Sequence, residues 1–251
     1  MCCITNQKKK KRTQQKMQFT KLQDIINSPD IQSYSEIEID LWGNQVGQQG
    51  ASRISSTLAK CNNLCNLILN LNRNQINSQG ILELGSAFVK CKNLSALTLS
   101  LTDNCIEGKG ALNLGSSLTK CINLSTLKLN LIQNQIGDEG CQALGSSLKN
   151  CSKLSNLVLI LCNNKISVQG AQELGIGLSQ CSKLLYLSLD LYNNKIGNPG
   201  SKILGFNLAK CSHIKHFIIY LQNNLISYAK QLDFKSQICK QKRLVTKKIY
   251  F

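Results

Sequence analysis

The chain has 251 residues, 42% of them hydrophobic and 17% charged, with a formal net charge of +17, 13 cysteines and only 2 prolines. This is enough apolar material for a packed core, and it excludes a Pro-rich or low-complexity chain. No apolar run approaches the ~20 residues that a membrane-crossing helix needs.

The chain opens with "MCCITNQKKKKRTQQKM", residues 1–17, which reads as a solvated basic arm. It lacks the apolar stretch of a secretory signal, so the expected compartment is the reducing cytosol, with the nucleus second because "KKKKR" at 8–12 also suits nuclear import. Cys2 and Cys3 beside that run are candidates for acylation. Over residues 18–35, Phe19, Leu22, Ile25 and Ile26 share a helical face, followed by Ile31 and Tyr34 in a turn, which predicts a cap laid over the first strand. That strand carries Glu36, Glu38 and Asp40, charges of the kind that discourage pairing at a sheet edge.

From residue 36 to 226 one 30-residue unit recurs. Asparagine stands at Asn44, Asn74, Asn104, Asn134, Asn164, Asn194 and Asn224; glycine at Gly50, Gly80, Gly110, Gly140, Gly170 and Gly200; cysteine at Cys61, Cys91, Cys121, Cys151, Cys181 and Cys211. In one copy Leu64, Leu67, Leu69 and Leu71 have the period of a strand, Ile76 follows the asparagine, and Ile81, Leu84 and Phe88 line one helical face before Cys91. A strand and a helix with one apolar face each cannot bury them alone, so the copies must stack into a solenoid of seven strands. The asparagine amide is placed to bond the loop leaving its own strand and the adjacent turn. Residues 227–251 keep the helical spacing at Phe234 and Ile238 but replace glycines with Lys230 and Lys235; Leu244, Ile249 and Phe251 predict a basic C-terminal cap with part of an eighth strand.

Six cysteines in one repeat position share one environment and have no reason to pair with each other, so the column reads as small buried side chains closing the helix-to-strand turn. The N-x-S triplets at Asn93, Asn123 and Asn150 fall in that same tight turn, where a glycan would meet the neighbouring repeat. "CSHIKH" places Cys211, His213 and His216 in a loose C-x-H-x-x-H that lacks a fourth ligand, and it is read as coincidence. The motifs of P-loop, serine-hydrolase and zinc-protease sites are missing from the sequence, so no catalytic residue, metal or cofactor is expected.

The pattern "LxxLxLxLxxNxIxxxGxxxLGxxLxxC" at 124–151 resembles the leucine-rich repeats of the ribonuclease-inhibitor-like type, over residues 37–226. Its Asn-, Gln- and Lys-rich style is also similar to the leucine-rich repeats of ciliate proteins. The resemblance implies an α/β right-handed solenoid, a horseshoe with a parallel sheet on the concave face and helices on the convex face. This chain has an additional strand pair before the asparagine, which predicts a longer strand.

Function is then expected on the outward strand positions, which vary while the core positions do not. The columns run Glu38, Ile68, Thr98, Lys128, Val158, Ser188, Ile218; Asp40, Asn70, Ser100, Asn130, Ile160, Asp190, Tyr220; and Trp42, Asn72, Thr102, Ile132, Cys162, Tyr192, Gln222. Trp42, Val158, Ile160, Tyr186, Asp190, Tyr192, Ile218 and Tyr220 are the candidate partner-binding residues, with Tyr186, Tyr192 and Tyr220 expected to cluster as an anchor. The reading is a non-enzymatic module, favoured as a monomer, that holds a protein or peptide. Two others stand beside it: a regulator of a small GTPase, because Ran GTPase-activating proteins share the repeat type, although their functional residues map onto no positions here; and RNA or acidic-membrane binding through the basic tails.

Overall fold

The structure, a computed structural model, describes residues 16–240 and 243–251. In chain order the elements are β1 (Lys16–Phe19), α1 (Leu22–Asn27), a 3-10 turn (Ile31–Ser33), β2 (Glu36–Asp40), α2 (Gly47–Leu58), β3 (Asn66–Asn70), α3 (Ser78–Lys90), β4 (Ala96–Ser100) and α4 (Glu107–Leu118). They continue with β5 (Thr126–Asn130), α5 (Gly137–Leu148), β6 (Asn156–Ile160), α6 (Val168–Ser179), β7 (Tyr186–Asp190), α7 (Gly197–Leu208), β8 (His216–Tyr220), α8 (Tyr228–Cys239) and β9 (Thr246–Tyr250). Among the described residues the nine strands form one open parallel sheet in sequence order. No described helix is long and apolar enough to cross a membrane.

The 30-residue period appears directly in the register. Asn66 pairs with Ala96, Ala96 with Thr126 and Thr126 with Asn156, with no slip through β9. Each strand therefore places its leucines against those of the next, and Leu67, Leu69, Leu71, Leu97, Leu127 and Leu157 are fully buried or nearly so. The helices cover them with Ile81, Leu84, Phe88, Leu114, Leu144 and Leu174. Burial of each such side chain stabilises the stack by roughly 1.5–3 kcal/mol. Strands lie about 4.8 Å apart whereas packed helices need about 8–10 Å, so the helical layer takes the longer arc and the sheet the inner one. Small residues limit that difference: a Cβ at Gly177 of α6 would collide with the Gly145 backbone of α5, so only glycine permits this approach. The expected lengthening of the strand takes a particular form. The strands proper hold five residues, but the inter-strand bonds run on into the turn, from Leu71 N to Ser100 O at 2.8 Å and from Arg73 N to Thr102 O at 2.8 Å.

After each strand the chain must turn sharply to reach its helix. The residue preceding the asparagine is left-handed in every copy, with φ of 55° at Arg73, 58° at Gln133 and 56° at Asn163. This backbone is held by the asparagine side chain. Asn164 Nδ2 donates to Leu131 O at 2.8 Å and Cys162 O at 3.0 Å, while its Oδ1 accepts from the Asn134 and Ile136 amides at 3.1 Å each. Asn74, Asn104, Asn134, Asn194 and Asn224 bond the preceding repeat in the same way, each donating to the leucine carbonyl 33 residues earlier. Asn44 is the exception. Only Thr20 and Lys21 separate β1 from α1, so no loop lies beneath it; Asn44 is exposed and donates to Trp42 O at 2.9 Å.

The ends differ from the sequence-based expectation. The predicted cap over 18–35 contains α1 and the 3-10 turn, with Ile25 and Ile31 buried, but a strand precedes them, and β1 pairs in parallel with β2 through Lys16 and Glu36. β2 is therefore not an edge. Its acidic residues do not guard against pairing; Lys16 Nζ lies 3.1 Å from Glu38 and Gln18 donates to Glu38 at 2.7 Å, which holds that carboxyl below the usual range. At the other end the predicted partial strand is β9, five residues paired with β8, with Lys247 at the position that leucine fills elsewhere and Phe251 edge-on to Phe234 at 5.6 Å. The arm expected over 1–17 lies, but for Lys16 and Met17, outside the described residues.

All eleven described cysteines are free thiols. Cys61, Cys91, Cys121 and Cys211 are buried in the turn column, while Cys151 and Cys181 are partly exposed, so the six environments are similar but not uniform. Cys91 Sγ donates to Leu58 O of the preceding helix end at 3.3 Å, and Cys121 Sγ to Ser117 O of its own at 3.4 Å. Burial pushes the Cys91, Cys181 and Cys211 thiols up to about 12 and those of Cys61, Cys121 and Cys151 to about 11.

Two measurements check this account. Asn164→Ala strips four backbone groups of their partner and is expected to cost about 3 kcal/mol in chemical denaturation, whereas Asn156→Ala, exposed on the strand face, costs under about 0.5 kcal/mol. Equal midpoints for the two variants would contradict the ladder's role. In the folded chain at mildly alkaline pH, iodoacetamide should label exposed Cys65, Cys105 and Cys239 rapidly and buried Cys61, Cys91, Cys141 and Cys211 only after unfolding. Folded thiols with raised pKa stay neutral, so their contribution is complete below about pH 9 and is lost as pH rises toward about 12. A melting temperature that rises over that interval would overturn the assignment.

Candidate functional site

A parallel strand sends alternate side chains to opposite faces, so the face not used by the leucines is available along the whole sheet. On it the register sets Glu38, Ile68, Thr98, Lys128, Val158, Ser188, Ile218 and Lys248 side by side, and likewise Asp40, Asn70, Ser100, Asn130, Ile160, Asp190, Tyr220 and Tyr250. The face changes character along its length. Over β2 it is acidic, over β3–β5 mostly polar, and from β6 to β9 aliphatic and aromatic groups stand among polar ones such as Ser188, Asp190 and Lys248, with Val158, Ile160, Ile218 and Tyr220 partly exposed.

The candidate residues separate into three groups. Val158 and Ile160 on β6 and Ile218 and Tyr220 on β8 face the same side, with Ser188 and Asp190 of β7 between them in register. Trp42 is 54% exposed but stands at the far end over β2, with the Arg73 guanidinium 5.6 Å from its ring centre. Tyr186 opens β7 and Tyr192 lies two residues beyond its end, six residues or about 20 Å along the extended chain, so the expected three-tyrosine cluster does not form. Tyr220 instead stacks on Tyr250 at 4.6 Å, Tyr186 tilts against His216 at 6.2 Å, and the Tyr192 hydroxyl accepts from Asn223 Nδ2 at 2.9 Å.

Five members of the outward columns have structural roles. Cys162 is only 6% exposed, covered beside Asp190 of the next strand and not part of the hydrophobic core. Burial drives its thiol up to about 12, and the Asp190 carboxylate beside it adds to the rise. Asp190 Oδ1 in turn accepts from the Tyr192 amide at 3.0 Å. Asp40, Asn70 and Asn130 make the same bond to the amide two residues on, at 3.1, 3.2 and 3.1 Å, so this column holds the strand exit before it can hold a partner. Residues absent from the sequence-based set are His216, Lys248 and Tyr250 on the same face; each could have been found by adding 30 to Tyr186, Ile218 and Tyr220.

Chemistry at the "CSHIKH" segment follows from its placement. Cys211 is buried, and His216 Nδ1 is within 3.1 Å of Thr246 Oγ1 on the sheet face. Among the described residues no group of three His, Cys, Asp or Glu side chains is placed to hold a metal.

The family model described as "Leucine Rich repeat" matches residues 94–115 and 123–145. No curated protein matches the chain in sequence. A solved structure titled "Leiomodin-1 Actin-Binding Site 2 (ABS2)" is similar at 17% identity and a TM-score of 0.43, over 55% of this chain and 75% of that one. The two matched segments are neighbouring copies of the unit whose register runs unbroken from β2 to β9, and the chain is an open α/β solenoid whose repeats are similar to that family.

Proposed function

We propose that the chain is a non-enzymatic interaction module that holds a protein or peptide segment on the sheet face over β6–β9. The observation that carries this reading is the partition of each strand. Leu157, Leu159, Leu187, Leu189 and Ile219 are fully buried, whereas their neighbours Val158, Ile160 and Ile218 leave apolar surface on a face that no described segment covers. Adjacent aliphatic and aromatic groups with rigid strand backbones are the usual material of a binding hot spot. Tyr220 and Tyr250 extend the surface as a stacked pair, and Tyr192 borders it.

The test uses the aliphatic positions, because Tyr220 also anchors the last strand through Tyr250. A photo-crosslinking residue at Ser188, between Val158 and Ile218 in register, should capture a discrete protein partner. The double variant Ile160→Glu with Ile218→Glu should keep its cooperative melt and weaken that capture by at least about thirtyfold. Glu173→Lys on the helical side should change it little. Undiminished capture by the double variant would refute the sheet-face site.

A further inference from the structure

A second surface lies on the rim where each helix returns to the next strand. Among the described residues, the seven turns at 59–65 and their 30-residue copies through 239–245 contain eleven lysines and arginines and no aspartate or glutamate. The loops of the opposite rim, 41–47 through 221–227, carry Arg73, Lys165 and Lys195 against Asp103 and Glu107. The two rims thus differ in charge although they belong to the same repeats. Lys60, Lys92, Lys120, Lys153, Lys183 and Lys215 are all exposed, one to a turn, and the four ion pairs among the described residues involve none of them.

Part of this charge has a local explanation. Lys60, Lys90, Lys120, Lys149, Lys210 and Lys240 stand at helix C-termini, where a cation complements the macrodipole. That account does not reach Lys92, Lys153, Lys183, Lys215 or Arg243, which lie beyond the helix in the turn, nor does it require the acidic residues to be missing. Aliphatic side chains stand exposed among the lysines: Ile122 at 65%, Leu185 at 42% and Val245 at 74%. Leu185 and Val245 line a cleft of about 410 Å³ together with Ser212, His213, Lys215 and Arg243, which joins cationic and apolar walls and has no carboxylate.

We propose that this rim docks on an anionic bilayer surface, the lysines meeting lipid phosphates and carboxylates while Ile122, Leu185 and Val245 enter the interface and the cleft seats one headgroup. The unbroken 30-residue register keeps one basic group per repeat on one edge, a row of roughly 29 Å across six strand spacings, which suits an extended charged plane. Exposed aliphatic groups between cations gain free energy at the acyl boundary and none at a phosphate backbone. The seven turns contain no Phe, Tyr or Trp to stack on bases, which sets the rim apart from single-strand nucleic-acid platforms. The sheet face remains free in this orientation, so the rim adds a location to the partner-binding role and does not compete with it.

The experiment is co-sedimentation of the full chain with vesicles of pure phosphatidylcholine or with about a third phosphatidylserine, at physiological salt. Two triple variants of equal net charge are compared: Lys92, Lys153 and Lys215 to Gln on the basic rim, and Arg73, Lys165 and Lys195 to Gln on the opposite rim. The first should lose binding to anionic vesicles at least about thirtyfold and the second less than about threefold. Ile122→Ser with Val245→Ser should weaken vesicle binding at least about fivefold and leave binding to a 20-base-pair RNA duplex unchanged. All variants are to show the parent's melting transition; one that does not is replaced by single Lys183→Gln and Leu185→Ser changes read the same way. Equal losses in the two triple variants would reduce the effect to net charge and overturn the proposal. So would anionic-vesicle binding no tighter than phosphatidylcholine binding, or duplex RNA binding that exceeds it and depends on the same lysines.

Discussion

The structure depends on one carboxamide per repeat. A strand that must leave the sheet and enter a helix within a few residues exposes backbone groups in a place that the next repeat then buries, and a buried amide or carbonyl without a partner costs about 1–3 kcal/mol. The asparagine satisfies both kinds at once, because it alone among short side chains offers two donors and an acceptor in one plane. Its bonds point backward along the solenoid, to the leucine carbonyl 33 residues earlier and the amides 30 and 28 residues earlier. Each repeat is thereby closed by its successor, which is why the left-handed backbone beside the asparagine persists at non-glycine residues in copy after copy.

That dependence shapes the ends. The first asparagine has no loop beneath it and stays at the surface, and β1 completes the sheet through a different connection, offset by 20 residues from β2 where every other strand pair is offset by 30. At the C-terminal end the helix loses its small residues: Lys235 replaces the glycine series, and Phe234 and Ile238 fill the space against α7 and Phe251. Exposed Lys247 in a leucine position ends the core of the sheet with a charge. Both ends are built from packing that differs from the repeat.

A solenoid of this kind separates its tasks by direction. The inner positions of strand and helix are committed to the core, the turn after the strand to the asparagine ladder, and the turn before it to the cysteines. Two surfaces remain on which substitution costs little stability: the outward strand face, where aliphatic and aromatic groups collect toward β6–β9, and the return rim, where lysines collect without counter-charges. The two surfaces differ chemically, with aliphatic and aromatic groups collected on one and lysines without carboxylates on the other.

The period of the leucines and of the asparagines determined the solenoid, the strand positions and the core, because in a repeat the direction of every Cβ follows from its place in a 30-residue unit. The same arithmetic placed Val158, Ile160, Ile218 and Tyr220 on one face. Periodicity gives a direction but not a partner. It could not show that Asp190 is engaged by the Tyr192 amide, that Cys162 is covered beside Asp190, that Tyr220 stacks on Tyr250 rather than joining Tyr192, or that Lys16 belongs to a strand pairing with Glu36. Those outcomes rest on contacts between residues close in space, chosen among several within reach, and on an N-terminal strand that falls outside the period. The basic rim lies between these cases. Its lysines stand in plain sight in the sequence, but at varying positions within the turn, and only the stacking of the repeats brings them to one edge.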